Sequence, residues 1–251
     1  MENNQDYRLF HKFIETYSST AFNEINPNDP LMLELERMME QNNQFFIAAD
    51  MLQMKILFTS KRSAEMIGIA PTEMAPNVFF AITHPDDFER FSLGRIKLFK
   101  LAQNFFISKE GKTLTSSNLK IRNPNNKYTS LLFQCYLFYS SAPIETVYSL
   151  NLYTNIDGYK KIRKHYHYYS GNDLSYFRYP DEKLLQIGNI YTKREFEIIK
   201  LIEQGFNTEQ IAEKLFVSQN TVNAHRANIL KKSGKTRISE LIYDLMEQGL
   251  L

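Results

Sequence analysis

Cysteine, tryptophan, glycine and long apolar runs are all scarce in this sequence of 251 residues. Its single cysteine, Cys135, excludes an internal disulfide and a cysteine-rich zinc cluster. With 9 glycines and 8 prolines, the chain is neither collagen-like nor of low complexity. Its longest clean apolar runs, such as 78–82, are far shorter than the roughly 20 residues of a membrane-spanning helix. The first residues also lack a basic-then-apolar signal pattern, so we expect a soluble, cytoplasmic protein.

Length and charge distribution favour two folded domains, one of them with a basic surface. The chain exceeds the usual size of one domain, and 43% hydrophobic residues can form real cores. The formal net charge of +2 hides uneven segments: residues 1–41 carry 8 acidic and 3 basic residues. Residues 214–239 carry six basic residues and no acidic one. Such a segment attracts polyanions, although a solvated helix face would show the same charges.

Three helix starts follow one another near the C-terminus. Each has a polar residue that can accept hydrogen bonds from free backbone N–H groups, namely Thr192, Asn207 and Ser218. Glu195 completes a capping box with Thr192, and Gly205 stands where the first helix should end. Only about two residues separate the second helix from the third, which is the spacing of a helix-turn-helix.

The third of these helices has two unlike faces. Val222, Ile229 and Leu230 share the apolar face. The opposite face carries small or polar residues: Asn220, Asn223, Ala224, Ala227 and Lys231. A helix in a major groove needs short side chains near the bases and cations at its margins. The pattern therefore favours DNA binding over an ordinary helical bundle.

The stretch TKREFEIIKLIEQGFNTEQIAEKLFVSQNTVNAHRANILKK resembles the LuxR/FixJ-type helix-turn-helix of bacterial transcription regulators. The resemblance implies an all-α four-helix domain at 188–251 that binds double-stranded DNA as a homodimer, with RNA polymerase as a further partner. It implies base contacts from Asn223, Ala224 and Ala227. It implies phosphate contacts from Ser218, Gln219, Thr221, Arg226 and Lys231. Asparagine can pair with adenine and alanine can touch a thymine methyl, so A·T pairs are the expected preference.

The match departs from the family at Asn223, where many relatives have lysine, and at Ser233 and Lys235, where apolar residues are usual. Ser233 and Lys235 lie just before the fourth helix of the domain. In the family this helix often forms the dimer contact. Its apolar face, which includes Leu241, Leu245 and Met246, fits a dimer contact and an internal core equally well.

Short apolar runs bounded by turn residues dominate residues 42–157 and predict about five strands. These runs are QFFIAAD, KILFT, NLKIR, YTSLLFQCYLFYS and TVYSLNLYTNI. Between the second and third lie a short helix, expected to be capped by Ser60 or Ser63, and a longer helix after HPDDF. This α+β order lacks βαβ alternation and any GxGxxG motif, which argues against a nucleotide-binding parallel sheet.

The same order, with FTSKRSAEMIGI, ITHPDDFERF and LKIRNPNNKYTSLLFQ, resembles a PAS domain at 42–157. The resemblance implies an antiparallel sheet with flanking helices that binds a small molecule or a cofactor, or only dimerises. We expect no cofactor, because Cys135 lies in a strand and His84 belongs to the HPDD turn. We expect no metal, because His165 and His167 lack further ligands. No catalytic motif is present, and we expect no enzyme activity.

Both faces of the strand at 128–140 are apolar, so both faces of the sheet should be covered. Helices within 1–41, one of them starting at Asp29 and Pro30, could cover the second face or pair with another copy. Residues 158–187 include seven aromatic residues between Tyr159 and Tyr179, which predicts a structured joint rather than a flexible linker. An aromatic and basic nucleic-acid surface, with Lys160, Lys161, Arg163 and Lys164, is the alternative for this segment.

The sequence therefore predicts a sequence-specific DNA-binding transcriptional regulator whose PAS-like domain senses an unknown small molecule. A constitutive dimer, in which the PAS-like domain only makes protein contacts, is the alternative. That alternative predicts no ligand pocket and no effector dependence.

Overall fold

A computed structural model describes residues 8–159, 168–172, 191–247 and 251. The first part forms a sheet domain with helices on both faces. Its elements are α1 (Arg8–Ser18), α2 (Pro30–Gln41), β1 (Gln44–Asp50), β2 (Lys55–Thr59), α3 (Ser63–Ile67), α4 (Val78–Ile82), α5 (Pro85–Ser108), β3 (Lys112–Arg122), β4 (Tyr128–Ser140), β5 (Thr146–Asn155) and β6 (Tyr168–Gly171). A short 3-10 turn, Pro71–Glu73, lies between α3 and α4.

The sheet is antiparallel throughout, with strand order β2-β1-β5-β4-β3-β6. Two strands precede the helices α3, α4 and α5, and three long strands follow them. The predicted PAS-like α+β layout is thereby confirmed. Strands β1 and β5 are buried along nearly their whole length and β4 mainly along its middle, because helices cover both faces of the sheet.

The N-terminal helices cover the second face of the sheet. Asp29 Oδ1 accepts a hydrogen bond from the Leu31 N–H at 2.8 Å, and Pro30 occupies the first turn of α2, as predicted. Phe13 of α1 and Leu35 of α2 are fully buried in one cluster with Phe46 of β1. Burial of these side chains against the sheet removes the need for a second copy on this face.

The sixth strand was not predicted. Residues 168–171 pair with Leu114–Ser117 at the edge of the sheet, and Tyr169 packs against the cluster beneath α1 and α2. This part of the predicted joint is therefore a strand of the sheet domain. Most of the rest of 158–187 lies outside the described residues, including the basic positions Lys160, Lys161, Arg163 and Lys164 and the pair His165 and His167.

The predicted cap of α3 is wrong. Arg62 precedes the helix without a side-chain cap, and both serines bind elsewhere. Ser60 Oγ accepts from the Phe46 N–H at 2.9 Å, and Ser63 Oγ donates to the Ile69 carbonyl at 2.8 Å. These hydrogen bonds hold β1 and the turn after α3, so the hydroxyls are not available to the helix terminus.

The HPDD residues form the start of α5. His84 precedes α5, and its Nδ1 accepts from the Asp86 N–H at 3.1 Å. Asp87 is buried, accepts from the Lys120 N–H at 2.8 Å and pairs with Arg90 at 3.1 Å. The carboxylate of Asp87 thus fixes the start of α5 to strand β3.

The second part of the chain is a helical domain. It contains α6 (Lys193–Glu203), α7 (Thr208–Leu215), α8 (Gln219–Ser233) and α9 (Ile238–Glu247), which is the predicted four-helix count. One cluster of buried residues, with Ile199, Ile211, Val222 and Ile229 at its centre, joins all four helices. No described helix of either domain is long and apolar enough to cross a membrane.

Candidate DNA-binding surface and effector cavity

The starts of α6, α7 and α8 have the capping geometry that their sequences predict. Thr192 Oγ1 accepts from the Glu195 N–H at 3.1 Å, and the Thr192 N–H donates back to Glu195 at 2.5 Å. Asn207 forms a second reciprocal box with Gln210. Ser218 Oγ accepts from the Thr221 N–H at 3.1 Å. Each cap satisfies one of the free N–H groups at its helix start and so helps to fix the helix-turn-helix.

Helix α8 divides into the two faces that its spacing predicts. Val222 and Ile229 are fully buried in the domain core. Asn223, Ala224 and Ala227, the predicted base-contacting residues, are all exposed and lie on the opposite side. Thr208 Oγ1 of α7 approaches Asn223 Oδ1 at 3.5 Å, which holds this amide near the start of the helix. The outer face is short and polar, as a helix in a major groove requires.

The predicted phosphate-contacting residues flank that face. Ser218, Gln219, Thr221 and Lys231 are exposed, and Arg226 is half-buried. The Thr221 hydroxyl lies 2.9 Å from Ser218 Oγ, so both hydroxyls sit together at the N-terminus of α8. Their position beside orphan helix N–H groups suits an anionic oxygen.

Four of the six basic residues at 214–239 have no carboxylate within ion-pair distance among the described residues: Lys214, Arg226, Lys231 and Arg237. The other two are paired. Lys232 Nζ lies 2.7 Å from Glu195 Oε2, and Lys235 Nζ lies 2.5 Å from Asp244 Oδ2. The unpaired cations give this domain a positive surface that can attract phosphates.

The predicted dimer residues of α9 separate into two groups. Leu241 and Leu245 are each only 3% exposed because they complete the core of their own domain. Met246 is 52% exposed, and Tyr243 on the same helix is 66% exposed. The two leucines therefore serve the internal core, and a dimer contact through α9 would use Tyr243 and Met246. The terminal Leu250 lies outside the described residues.

The sheet domain contains a cavity of about 120 Å³ between α5 and the sheet face opposite the N-terminal helices. Apolar side chains make up most of its wall: Ile47, Ile56, Phe79, Phe91, Leu119 and Phe133. Polar side chains from three elements also reach it: Arg95 of α5, Thr115 and Ser117 of β3, and Ser149 and Asn151 of β5. A mainly apolar cavity with a few convergent polar groups is the usual form of a small-molecule site.

Arg95 has an unusual environment in this cavity. Its guanidinium carbon lies 4.9 Å from the ring centre of Phe80 and 5.7 Å from those of Phe91 and Phe99. Arg95 Nη1 donates to the Pro76 carbonyl at 2.6 Å. Burial lowers the pKa of Arg95 below its ordinary value, although the guanidinium remains charged at neutral pH. Stacked rings and one carbonyl thus hold a cation at the cavity.

Two further titratable side chains at or near the cavity, Cys135 and Tyr153, are neutral at neutral pH. Burial raises the pKa of the Cys135 thiol to about 12, so it is neither a thiolate nor a nucleophile at neutral pH. Burial likewise raises the pKa of the Tyr153 phenol, which stacks between Phe45 and Phe79. Among the described residues, no three His, Cys, Asp or Glu side chains lie close enough together to hold a metal ion.

Residues 189–243 match the family model of bacterial regulatory proteins of the luxR family. The helical domain is therefore similar to LuxR-type helix-turn-helix domains. Over 62 residues the chain is 45% identical to the oxygen regulatory protein NreC of Staphylococcus aureus strain JH9, and strain JH1 carries a relative with the same identity. That match spans 25% of this chain and 29% of the relative, less than a third of either protein.

Two solved structures are similar to larger parts of the chain. The Vibrio cholerae VqmA dimer, described as a LuxR-type receptor, is 13% identical, with a TM-score of 0.39 over 86% of this chain and 88% of that chain. The PAS-B domain of Drosophila melanogaster Cycle is 18% identical, with a TM-score of 0.34 over 44% of this chain and 98% of that one.

The sequence identified the candidate DNA surface but missed the cavity and Arg95. One local signal was available: Phe91, Arg95 and Phe99 follow an i, i+4, i+8 spacing, which places both rings beside the guanidinium on one helix face. The other contacts, to Pro76 and Phe80, come from residues before α5 and depend on the tertiary fold.

Proposed function

We propose that this protein is a sequence-specific DNA-binding transcription regulator that acts as a dimer and responds to a small effector. One observation carries the proposal: the LuxR-type domain exposes a short, polar helix face flanked by unpaired cations. In the proposed complex α8 lies in the major groove of double-stranded DNA. Lys231, Arg226 and the Ser218 and Thr221 hydroxyls bind the backbone phosphates.

In this proposal Asn223, Ala224 and Ala227 face the base edges. Asn223 can offer its Nδ2 and Oδ1 atoms to adenine, and the two alanine methyl groups can contact thymine methyl groups. Dimer contacts involve Met246 and Tyr243 on the exposed side of α9. Two such domains would then read two half-sites related by two-fold symmetry. RNA polymerase remains a further proposed partner once the dimer is bound.

The cavity favours effector binding over the constitutive alternative. A domain that only dimerises has no need of an internal space of about 120 Å³ lined by a stacked arginine. An effector regulates DNA binding only if it binds two arrangements of the protein with different affinity. The effector should therefore change the affinity for the operator and should itself bind more tightly or more weakly when DNA is present.

The proposal can be tested by selecting genomic fragments with the purified full-length protein at two salt concentrations and sequencing them. We expect a short two-fold-related motif and a steep loss of binding as salt rises. Ala227→Glu places an acid on the α8 face without touching the core, so it should abolish enrichment of the motif. Gln53→Glu adds the same charge on an exposed turn of the sheet domain and should leave the motif enriched.

A set of fragments without any shared motif, equally enriched by the wild type and by Ala227→Glu, would contradict specific reading by α8. This selection of genomic fragments tests DNA recognition alone. The effector part of the proposal is tested separately below.

A further inference from the structure

We infer that the cavity of the sheet domain binds a small carboxylate with an apolar ring or branch, and that Arg95 binds its carboxylate group. This inference rests on the proposed effector function and specifies the chemical class of the effector. It depends on four features of the cavity: a cation without a carboxylate partner among the described residues, the aromatic rings around that cation, a buried hydroxyl and limited size.

The charge of Arg95 is not balanced within the described residues. No carboxylate lies within 4 Å of its guanidinium, and its one hydrogen bond goes to a neutral carbonyl, that of Pro76. Two other charged side chains that line the cavity, those of Asp50 and Arg90, already have partners. Asp50 accepts from Thr146 Oγ1 and from two turn N–H groups, and Arg90 pairs with Asp87. A half-buried cation without a counter-ion favours an anionic ligand.

The geometry around Arg95 suits a carboxylate in particular. Three aromatic rings limit the freedom of the guanidinium, so less conformational entropy is lost when a ligand binds. The N–H donors that do not face Pro76 have no partner among the described residues. A planar guanidinium can donate two parallel hydrogen bonds to the two oxygens of a carboxylate.

A second polar group, on strand β3, also lines the cavity. Thr115 Oγ1 is buried and lines the cavity, and its recorded polar contact is with the Cys135 thiol of the paired strand, a weak hydrogen-bonding group. A buried hydroxyl with so weak a partner gains from a hydrogen bond to a ligand oxygen. The Asn151 amide, which donates to Ser149 Oγ at 3.0 Å, keeps its carbonyl oxygen for a further polar contact.

The size and the apolar wall define the rest of the ligand. A cavity of about 120 Å³ is of the order of the engineered apolar cavity, about 150 Å³, that holds a benzene ring. Ile47, Phe79, Leu119 and Phe133 offer apolar contacts away from Arg95. Benzoate and 3-methylbutanoate have this size and combine one carboxylate with an apolar ring or branch.

Isothermal titration of the full-length protein with two matched pairs tests the inference: benzoate with benzamide, and 3-methylbutanoate with 3-methylbutanamide. Each amide keeps the shape of its acid and lacks the charge. We expect at least one acid to bind at least tenfold more tightly than its amide. Arg95→Gln should weaken the acid by about 10- to 100-fold and change the amide by less than about threefold.

Lys100→Gln is the matched control, because it removes one positive charge from the exposed side of the same helix. It should leave both affinities unchanged. Binding of an amide as tight as its acid, or equal loss of acid affinity in Arg95→Gln and Lys100→Gln, would overturn the inference. Failure of both acids to bind would also overturn it.

Failure here is distinguishable from failure of the proposed function. The same Arg95→Gln protein is tested for enrichment of the genomic motif, which depends on α8 and not on the cavity. Motif enrichment without acid binding refutes the carboxylate class and leaves the DNA-binding proposal standing. If Arg95→Gln failed to fold, Arg95→Lys would keep the charge but lose the bidentate geometry, and it should retain only part of the acid affinity.

Discussion

Lys232 Nζ at the C-terminal end of α8 lies 2.7 Å from Glu195 Oε2 in the first turn of α6. The same carboxylate accepts from the Thr192 N–H, so one buried group serves the capping box and the ion pair. Glu195 is 3% exposed, whereas the Lys232 side chain is 36% exposed. This ion pair thus connects the last turn of α8, the proposed recognition helix, to the first turn of α6.

Loss of this ion pair should destabilise the helical domain. Lys232→Met leaves the buried negative charge of Glu195 without its cation, and we expect the free energy of unfolding to fall by about 2 kcal/mol. For a domain of this size that change corresponds to a drop in Tm of about 8 °C or more. Differential scanning calorimetry at neutral pH measures the transition of the helical domain.

Lys231→Met is the matched control for stability, because it removes the neighbouring lysine, which is exposed and unpaired. It should change the unfolding free energy by no more than about 0.5 kcal/mol. Equal Tm values for both variants would show that the pair with Glu195 contributes nothing.

Glu195 also gives the helical domain a pH dependence. Burial by itself raises the pKa of Glu195. The hydrogen bonds from Lys232 and Thr192 and the charge of Lys232 together lower it by more, so the pKa of Glu195 in the folded domain lies below 4.5. A lowered carboxyl pKa stabilises the fold above pH 4.5, and this contribution is lost as the pH falls through the folded pKa. The stability difference between wild type and Glu195→Gln should therefore shrink as acid is added.

Urea unfolding of both proteins between about pH 7 and about pH 3 measures that difference. Glu209→Gln, which removes an exposed carboxylate from the first turn of α7, should give a difference that is smaller throughout. A gap between wild type and Glu195→Gln that stays constant down to about pH 3 would contradict the assigned pKa direction.

The caps of α6, α7 and α8 could be predicted because each depends on residues close in sequence, whereas the predicted cap of α3 is wrong. Thr192 and Glu195, Asn207 and Gln210, and Ser218 and Thr221 are each three positions apart, so one helical turn brings the partners together. The short apolar runs that predict the strands of the sheet are local signals of the same kind. For these elements sequence and structure agree closely.

The features that were missed depend on long-range packing. The strand at 168–171 is short, and only pairing with β3, more than fifty residues earlier, makes it a strand. The sequence pattern of α9 puts Leu245 on an apolar face, but a domain core and a dimer partner would both cover such a face. Only the folded structure shows that the core of the same domain covers Leu245. Arg95 gains its role from Pro76 and Phe80, which no periodicity connects to α5.

Substitutions of Leu245 and Met246 should have different effects, the first on the stability of the helical domain and the second on dimer formation. Leu245→Ala removes a fully packed core side chain and should lower the free energy of unfolding by about 3 kcal/mol. Met246→Ala should leave stability within about 0.5 kcal/mol of wild type because its side chain is half-exposed.

If α9 forms the dimer contact, Met246→Ala should reduce cooperative binding to two half-sites while the affinity for one half-site is kept. Unchanged cooperativity would place the dimer contact elsewhere.

Asn223 provides the sharpest test of base reading. Asn223→Ala should weaken binding to the preferred operator by about 10- to 100-fold, because a bidentate contact to adenine is lost. Affinity for an operator with that one A·T pair replaced by G·C should change little, so discrimination at this position disappears. Fluorescence anisotropy with the two duplexes at fixed salt measures both affinities. Asn228→Ala removes an exposed asparagine that is not among the proposed base-contacting residues and should preserve discrimination. An equal loss of affinity for both duplexes in Asn223→Ala would mean that Asn223 contacts the backbone rather than a base.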